Sequence, residues 1–130
     1  MSNRQAITTD GAPPAVGPYS QAIRAGDLVF TAGQLGTDPE TGDFAAQDVA
    51  GQAERALANL AAILVAADSG MDRLVKVTVF LADIGDWPAV NEVYARLVPE
   101  PFPARSAFAV KDLPKGARVE IEAVAVAGAG

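Results

Sequence analysis

The sequence predicts an α+β fold of two layers, one mixed sheet with two helices packed on one of its faces. Three observations carry that expectation. The hydrophobic period alternates between two and about 3.6 along the chain, in the order ββαβαββ. The chain has 130 residues, half of them apolar, which suits one domain able to bury a core without staples. No internal repeat or linker interrupts it; only the Ala-rich helix and the closing AGAG are compositionally simple.

The first nineteen residues are rich in Gly, Pro and Ala, and Pro13, Pro14 and Pro18 oppose a regular element. They read as an arm laid along the body, with residues 1–15 as the arm proper. Ser20–Arg24 and Leu28–Gln34 read as two strands joined at Ala25-Gly26-Asp27, a hairpin signal. In TDPETG, from Thr37 to Gly42, Pro39 presets φ and Gly42 tolerates a positive φ, which marks a turn. Between Val49 and Ala67 the apolar residues Ala53, Ala56, Leu57, Leu60, Ile63, Leu64 and Ala67 form one helical stripe. Asp48 is placed to cap that helix and Gly70 follows its end. Leu74–Leu81 is dense in β-branched residues and reads as a strand. Asp86 is placed to cap a second helix, which tolerates Pro88 in its first turn and carries Val90, Val93, Tyr94 and Leu97 on one face. Pro99, Pro101 and Pro103 end it. Arg105–Lys111 and Arg118–Val126 read as the last two strands, and residues 127–130 as a frayed tail.

Both faces of the strand Leu74–Leu81 carry apolar residues: Val75, Val77, Val79 and Leu81 on one, Leu74, Thr78, Phe80 and Ala82 on the other. Two helices cover one face only. A second copy of the chain is the least demanding cover for the other, since most soluble oligomers are closed homo-oligomers.

Composition narrows the chemistry. Without cysteine there is no disulfide, thiolate nucleophile or Cys-based metal site; without histidine the usual acid/base near neutral pH and the commonest zinc ligand are missing. Ten basic against sixteen acidic residues give a net charge of −6, which repels nucleic acid and anionic membranes at long range. The first twenty residues lack the apolar core of a secretory signal, and no apolar run reaches the length of a membrane span; Glu54, Arg55 and Asn59 interrupt the Ala-rich helix. The expectation is a cytoplasmic protein with no nucleic-acid or membrane partner.

Two charges in FPARSAFAVKDLPKGARVEIEAVAV stand out. Arg105, after a proline-punctuated loop, reads either as a surface arginine whose stem covers apolar neighbours or as a clamp for a carboxylate. The small residues Ala104, Ser106 and Ala107 leave room for a ligand beside it. Glu120 and Glu122 share one face of the last strand, either as a solvated acidic edge or, because Val124 and Val126 continue that face, as an enclosed carboxylate with a raised pKa. If the last two strands formed a tight hairpin, Arg105 would face Val124 and Glu120 would face Ala109. That four-residue offset, roughly 13 Å at strand rise, keeps the pair apart. Lys76 reads as a snorkelling lysine more readily than as a Schiff-base former. TAGQLG, from Thr31 to Gly36, lacks the spacing and lysine of a phosphate loop and suits close approach of backbone to a small ligand. Tyr19 is an arm aromatic placed to close a pocket, and Asn91 lies off the apolar stripe of its helix.

Taken together, GPYSQAI, FTAGQLGTDPETG, RALANLAAILVAADSG, VKVTVFLADIGDWPAVNEVY, FPARSAFAV and LPKGARVEIEAVAV closely resemble the RidA/YjgF family of imine deaminases, also named endoribonuclease L-PSP. The resemblance runs from about residue 12 to 127. It implies a chorismate-mutase-like fold assembled as a homotrimer, small sites at the subunit clefts, and a further strand lying between the last two. It implies hydrolysis of reactive enamines and imines of small 2-keto acids, such as 2-aminoacrylate, 2-iminopropanoate and 2-iminobutanoate, to the keto acid and ammonia, with no cofactor and no metal. By position, Arg105 binds the substrate carboxylate and Glu120 holds or activates the attacking water. Tyr19, Ala32 and Gly33 contribute to the pocket wall, the backbone at Ala107 offers hydrogen bonds, and Asn91 joins the substrate-binding set. Members of the family often carry cysteine where this chain has Ala107 and serine where it has Ala32, which bears on pocket polarity and substrate preference. The alternative is a non-catalytic binder or sensor of 2-keto acids; an endoribonuclease or translation inhibitor ranks below it, given the net charge and the missing histidine.

Overall fold

The structure, a computed structural model, describes residues 3–128. Six strands form one sheet in the order β1-β2-β3-β6-β4-β5. In chain order they are β1 (Arg4–Ile7), β2 (Ala22–Ala25), β3 (Leu28–Thr31), β4 (Leu74–Leu81), β5 (Ala104–Ala109) and β6 (Val119–Val126). Two α-helices, α1 (Val49–Ala66) and α2 (Trp87–Leu97), pack on one face, as the hydrophobic periods require.

The β2–β3 hairpin closes at Gly26, whose φ of 60° is the conformation that favours glycine. The start of the chain departs from expectation. Arg4–Ile7 is a strand paired antiparallel with β2, so the arm adds an edge to the sheet. The Gly/Pro-rich stretch that follows it is held by one buried side chain, Gln21. Its Nε2 donates to the carbonyls of Thr9 (3.0 Å), Ala12 (3.3 Å) and Pro13 (2.8 Å), while Oε1 accepts from the Thr9 amide at 2.7 Å. At the other end, the tail is anchored at its first two residues. The Ala127 and Gly128 amides donate to the carbonyls of Asp27 and Asp68. Residues 129 and 130 of the expected tail lie outside the described residues.

The last two strands are not a hairpin. β4 lies between them, antiparallel to β6 and parallel to β5. A register shift between Leu74 and Lys76 also corrects the face assignment of Val75. It is 43 % exposed, while Leu74, paired with Ala125, packs against the core. A bulge inserts one residue and so exchanges the two faces of the strand on either side of it. Leu97 likewise turns out exposed rather than buried with Val90, Val93 and Tyr94.

Under α1 and α2 the main core joins Ala53, Leu57 and Leu60 to Val77, Val79, Leu81, Val119 and Ile121. A second cluster sets Ile63 and Leu64 of α1 against Val29, Ala22 and Ala125. Asp48 and Asp86 occupy the expected cap positions, yet neither side chain accepts a capping hydrogen bond. The carboxylate of Asp86 instead accepts from Arg118 at 3.0 and 3.1 Å.

Asn59, a polar interruption of the Ala-rich helix in sequence, is fully buried. Its Nδ2 donates to the carbonyls of Leu35 (3.1 Å) and Thr37 (2.9 Å), and its Oδ1 accepts from the Arg55 guanidinium. It thereby ties α1 to the loop after β3. Asn59→Leu leaves two carbonyls and a guanidinium without their partner. It is expected to cost about 2–4 kcal/mol, read as a lower urea midpoint.

The opposite face of the sheet has no covering element among the described residues. Phe30 and Phe108 are 44 % and 45 % exposed there, and Phe80 meets Phe108 edge-on at 5.4 Å. Lys76 reaches across this face to donate to Ser106 Oγ at 3.0 Å, which accounts for its place in an apolar strand.

Candidate active site

Register decides where the two charges point. In the parallel pair β4–β5, Arg105 lies beside Val77 and Ala107 beside Val79, so both side chains share the helix-covered face. In the antiparallel pair β4–β6, Glu120 lies beside Phe80 and Glu122 beside Thr78, so both carboxylates share the open face. One chain therefore holds Arg105 and Glu120 on opposite sides of the sheet. β4 separates their strands, about 10 Å apart laterally at the usual spacing.

The arginine half is built by α2. Residues 87, 91 and 94 lie at i, i+4 and i+7, one face of a helix, and that face meets the start of β5. Asn91 Oδ1 accepts from Arg105 Nη1 at 2.8 Å, so this residue is engaged with Arg105 and not merely solvated. The guanidinium carbon lies 4.6 Å from the Trp87 ring centroid and 4.7 Å from that of Tyr94. A shallow cleft opens here, lined by Asn91, Tyr94, Ala95, Phe102, Pro103 and Arg105. Burial pushes the Tyr94 phenol up, and the neighbouring guanidinium pulls it the other way. β5 is the outer strand, so half of its backbone groups, around Ala107, face away from β4. Trp87 and Tyr94 were not legible as site residues. Tyr94 reads as core from its period, and the available signal was the i, i+4, i+7 spacing of Trp, Asn and Tyr ahead of an arginine-bearing strand.

The glutamate half is built by the loop after β3. Gln34 and Ile121 exchange backbone hydrogen bonds (2.8 and 3.0 Å), which lays Ala32-Gly33 along β6. The Glu120 side chain folds over Gly33, in the space that a Cβ there would take. The close approach expected of this glycine is thus made by a side chain of the same protein. Burial pushes the Glu120 carboxyl above the ordinary 4.5, and the nearby Glu122 carboxylate pushes it the same way. Such a group takes up a proton more readily than a solvated glutamate.

The sign of this shift fixes two pH effects. Glu120 binds its proton more readily folded than unfolded, so its contribution to stability declines as pH rises from the unfolded value through the raised one. A step needing the ionised carboxylate fails on acidification at a pH above the ordinary glutamate value. Glu122→Gln removes one cause of the shift, so the acid limb of a pH–rate profile is expected to move to lower pH.

Tyr19 stands elsewhere. It is 53 % exposed, its hydroxyl accepts from the Val16 amide at 3.4 Å, and it lines a cleft of the arm with Thr8, Asp10, Pro14, Gln21 and Pro39. None of the other predicted site residues lines that cleft. Within one chain the predicted set therefore falls into three places: Arg105 with Asn91 and Ala107, Glu120 with Ala32 and Gly33, and Tyr19 on the arm.

The sequence model of the family described as endoribonuclease L-PSP matches residues 9–127. The chain belongs to the RidA/YjgF family. It is 47 % identical over 125 residues to the human 2-iminobutanoate/2-iminopropanoate deaminase, covering 96 % of this chain and 91 % of that one. The crystal structure of the Escherichia coli YjgF gene product superposes with a TM-score of 0.90 at 42 % identity, over 94 % of this chain and 98 % of that chain. Escherichia coli TdcF with bound serine also gives a TM-score of 0.90 at 42 % identity, over 95 % and 98 % of the two chains. The strand found between β5 and β6 is the one that the resemblance implied. Among the described residues no helix is long and apolar enough to cross a membrane.

Proposed function

We propose that this RidA/YjgF protein hydrolyses reactive enamine and imine intermediates of small 2-keto acids, 2-iminopropanoate and 2-iminobutanoate among them, to the keto acid and ammonia. The observation that carries the reading is the Arg105 guanidinium, fixed by Asn91 and two aromatic rings at the mouth of a small cleft. A planar fork held in one orientation suits a small carboxylate. The human relative's name supports the substrate class, and the serine bound to TdcF supports a ligand with an α-carboxylate.

The chemistry asks little of the protein. A protonated imine is already electrophilic, so water needs placement and one proton acceptor. Arg105 binds the carboxylate beside the imine carbon. Water adds to that carbon while Glu120 takes its proton, giving a carbinolamine. The protonated Glu120 returns the proton to nitrogen, the C–N bond breaks, and loss of the hydroxyl proton leaves the keto acid and ammonium. No step requires histidine, cysteine or a metal.

Because Arg105 and Glu120 lie on opposite faces, the reading includes a closed homotrimer in which Arg105 of one chain meets Glu120 of the next. The uncovered apolar face bearing Phe30 and Phe108 supports burial against further copies. The test is ammonia release from 2-iminopropanoate generated in situ, which should be faster with the protein than without it. Binding of pyruvate or 2-oxobutanoate with no acceleration would replace this reading with a 2-keto acid sensor. RNA cleavage lost on substitution of Arg105 would replace it with a nuclease.

A further inference from the structure

We propose that Trp87 and Tyr94 are positioning residues that hold the Arg105 guanidinium in one plane, so that only its edge is offered to a carboxylate. This rests on the reading of Arg105 as a clamp. The two rings start seven residues apart on α2, about 10 Å along the helix axis and on nearly the same face. The guanidinium carbon lies 4.6 Å from one centroid and 4.7 Å from the other, so both rings bear on the guanidinium. Asn91, four residues after Trp87 and three before Tyr94, accepts one N–H from Arg105 at 2.8 Å. With both rings against the guanidinium and one donor committed to Asn91, the remaining donors are left for a ligand.

Without these supports, Arg105 is an exposed side chain on the outer strand, with several rotatable bonds and full access to water. The rings remove that freedom before the ligand arrives, which is the source of their effect on affinity.

The experiment compares Trp87→Leu with Trp87→Phe in the full-length protein. Calorimetric titration with 2-oxobutanoate should show affinity falling about tenfold in Trp87→Leu and recovering to within about threefold of wild type in Trp87→Phe. Where imine hydrolysis is measured, the loss should fall on KM rather than kcat. Equal affinity in wild type and Trp87→Leu overturns the proposal, as does an equal loss in both variants. Trp87 is the only tryptophan of the chain, so its fluorescence gives a readout independent of how those variants fold. In Arg105→Ala the emission should shift to longer wavelength as the ring loses its cover, and an unchanged spectrum overturns the proposal. Absence of imine hydrolysis with keto-acid binding retained would count against the deaminase reading alone, because titration and emission would still report on Trp87.

Discussion

Arg105→Ala is expected to lower the acceleration of imine hydrolysis by about 10²- to 10³-fold while leaving the fold and the assembly intact. In a site closed by a neighbouring chain, removing one partner of a buried, hydrogen-bonded charge pair costs about 2–5 kcal/mol, roughly 30- to 4,000-fold in rate at about 1.4 kcal/mol per factor of ten. The fold should tolerate the change because Arg105 projects from the outer strand and is exposed. Its contacts with Trp87, Tyr94 and Asn91 contribute on the order of 1 kcal/mol each at such a site. Ammonia release, circular dichroism and sedimentation on the same sample separate the two effects. Turnover equal to wild type would remove Arg105 from the mechanism.

Gly33→Ala is expected to reduce turnover about a hundredfold with little loss of stability. A Cβ at Gly33 would fall 2.8 Å from Glu120 Cδ and overlap its Oε2. The obstructed group is the far end of a flexible side chain, and φ at Gly33 is not in the left-handed region, so the backbone can accept alanine. The carboxylate must swing away instead. Misplacing a catalytic group by about 1 Å is enough for a loss of that size. The thermal midpoint should stay within a few degrees of wild type, at about 1 kcal/mol or less. Turnover unaffected by the substitution would mean that the position of Glu120 over Gly33 has no part in the reaction.

The helices and the central strands were legible because each reveals its period locally. The stripe from Ala53 to Ala67 and the β-branched run Leu74–Leu81 need no partner to be recognised. β1 was not legible: Arg4-Gln5-Ala6-Ile7 exposes three of its four residues and becomes a strand only by pairing with β2, across the Gly/Pro-rich stretch that Gln21 fastens. The bulge at Val75 was hidden for the same reason, since register belongs to a pair of strands.

The site divides along that line too. Arg105 and Glu120 stood out as charges in apolar surroundings, but which face each occupies depends on β4 lying between their strands. Asn91 is polar on an amphipathic helix, which by itself describes a solvated residue; its tie to Arg105 exists only once α2 is laid beside β5. Gly33 was expected to approach a ligand, and its nearest occupant is the Glu120 side chain.

If an active site joins Arg105 of one chain to Glu120 of another, two inactive variants should restore each other's activity when mixed. Arg105→Ala and Glu120→Gln chains, unfolded together and refolded in equal amounts, form a random assembly. If each site takes one residue from each of two neighbouring chains, about a quarter of the sites regain both, and about a quarter of wild-type ammonia release should return. Activity no greater than that of the separate variants would contradict a site shared between chains.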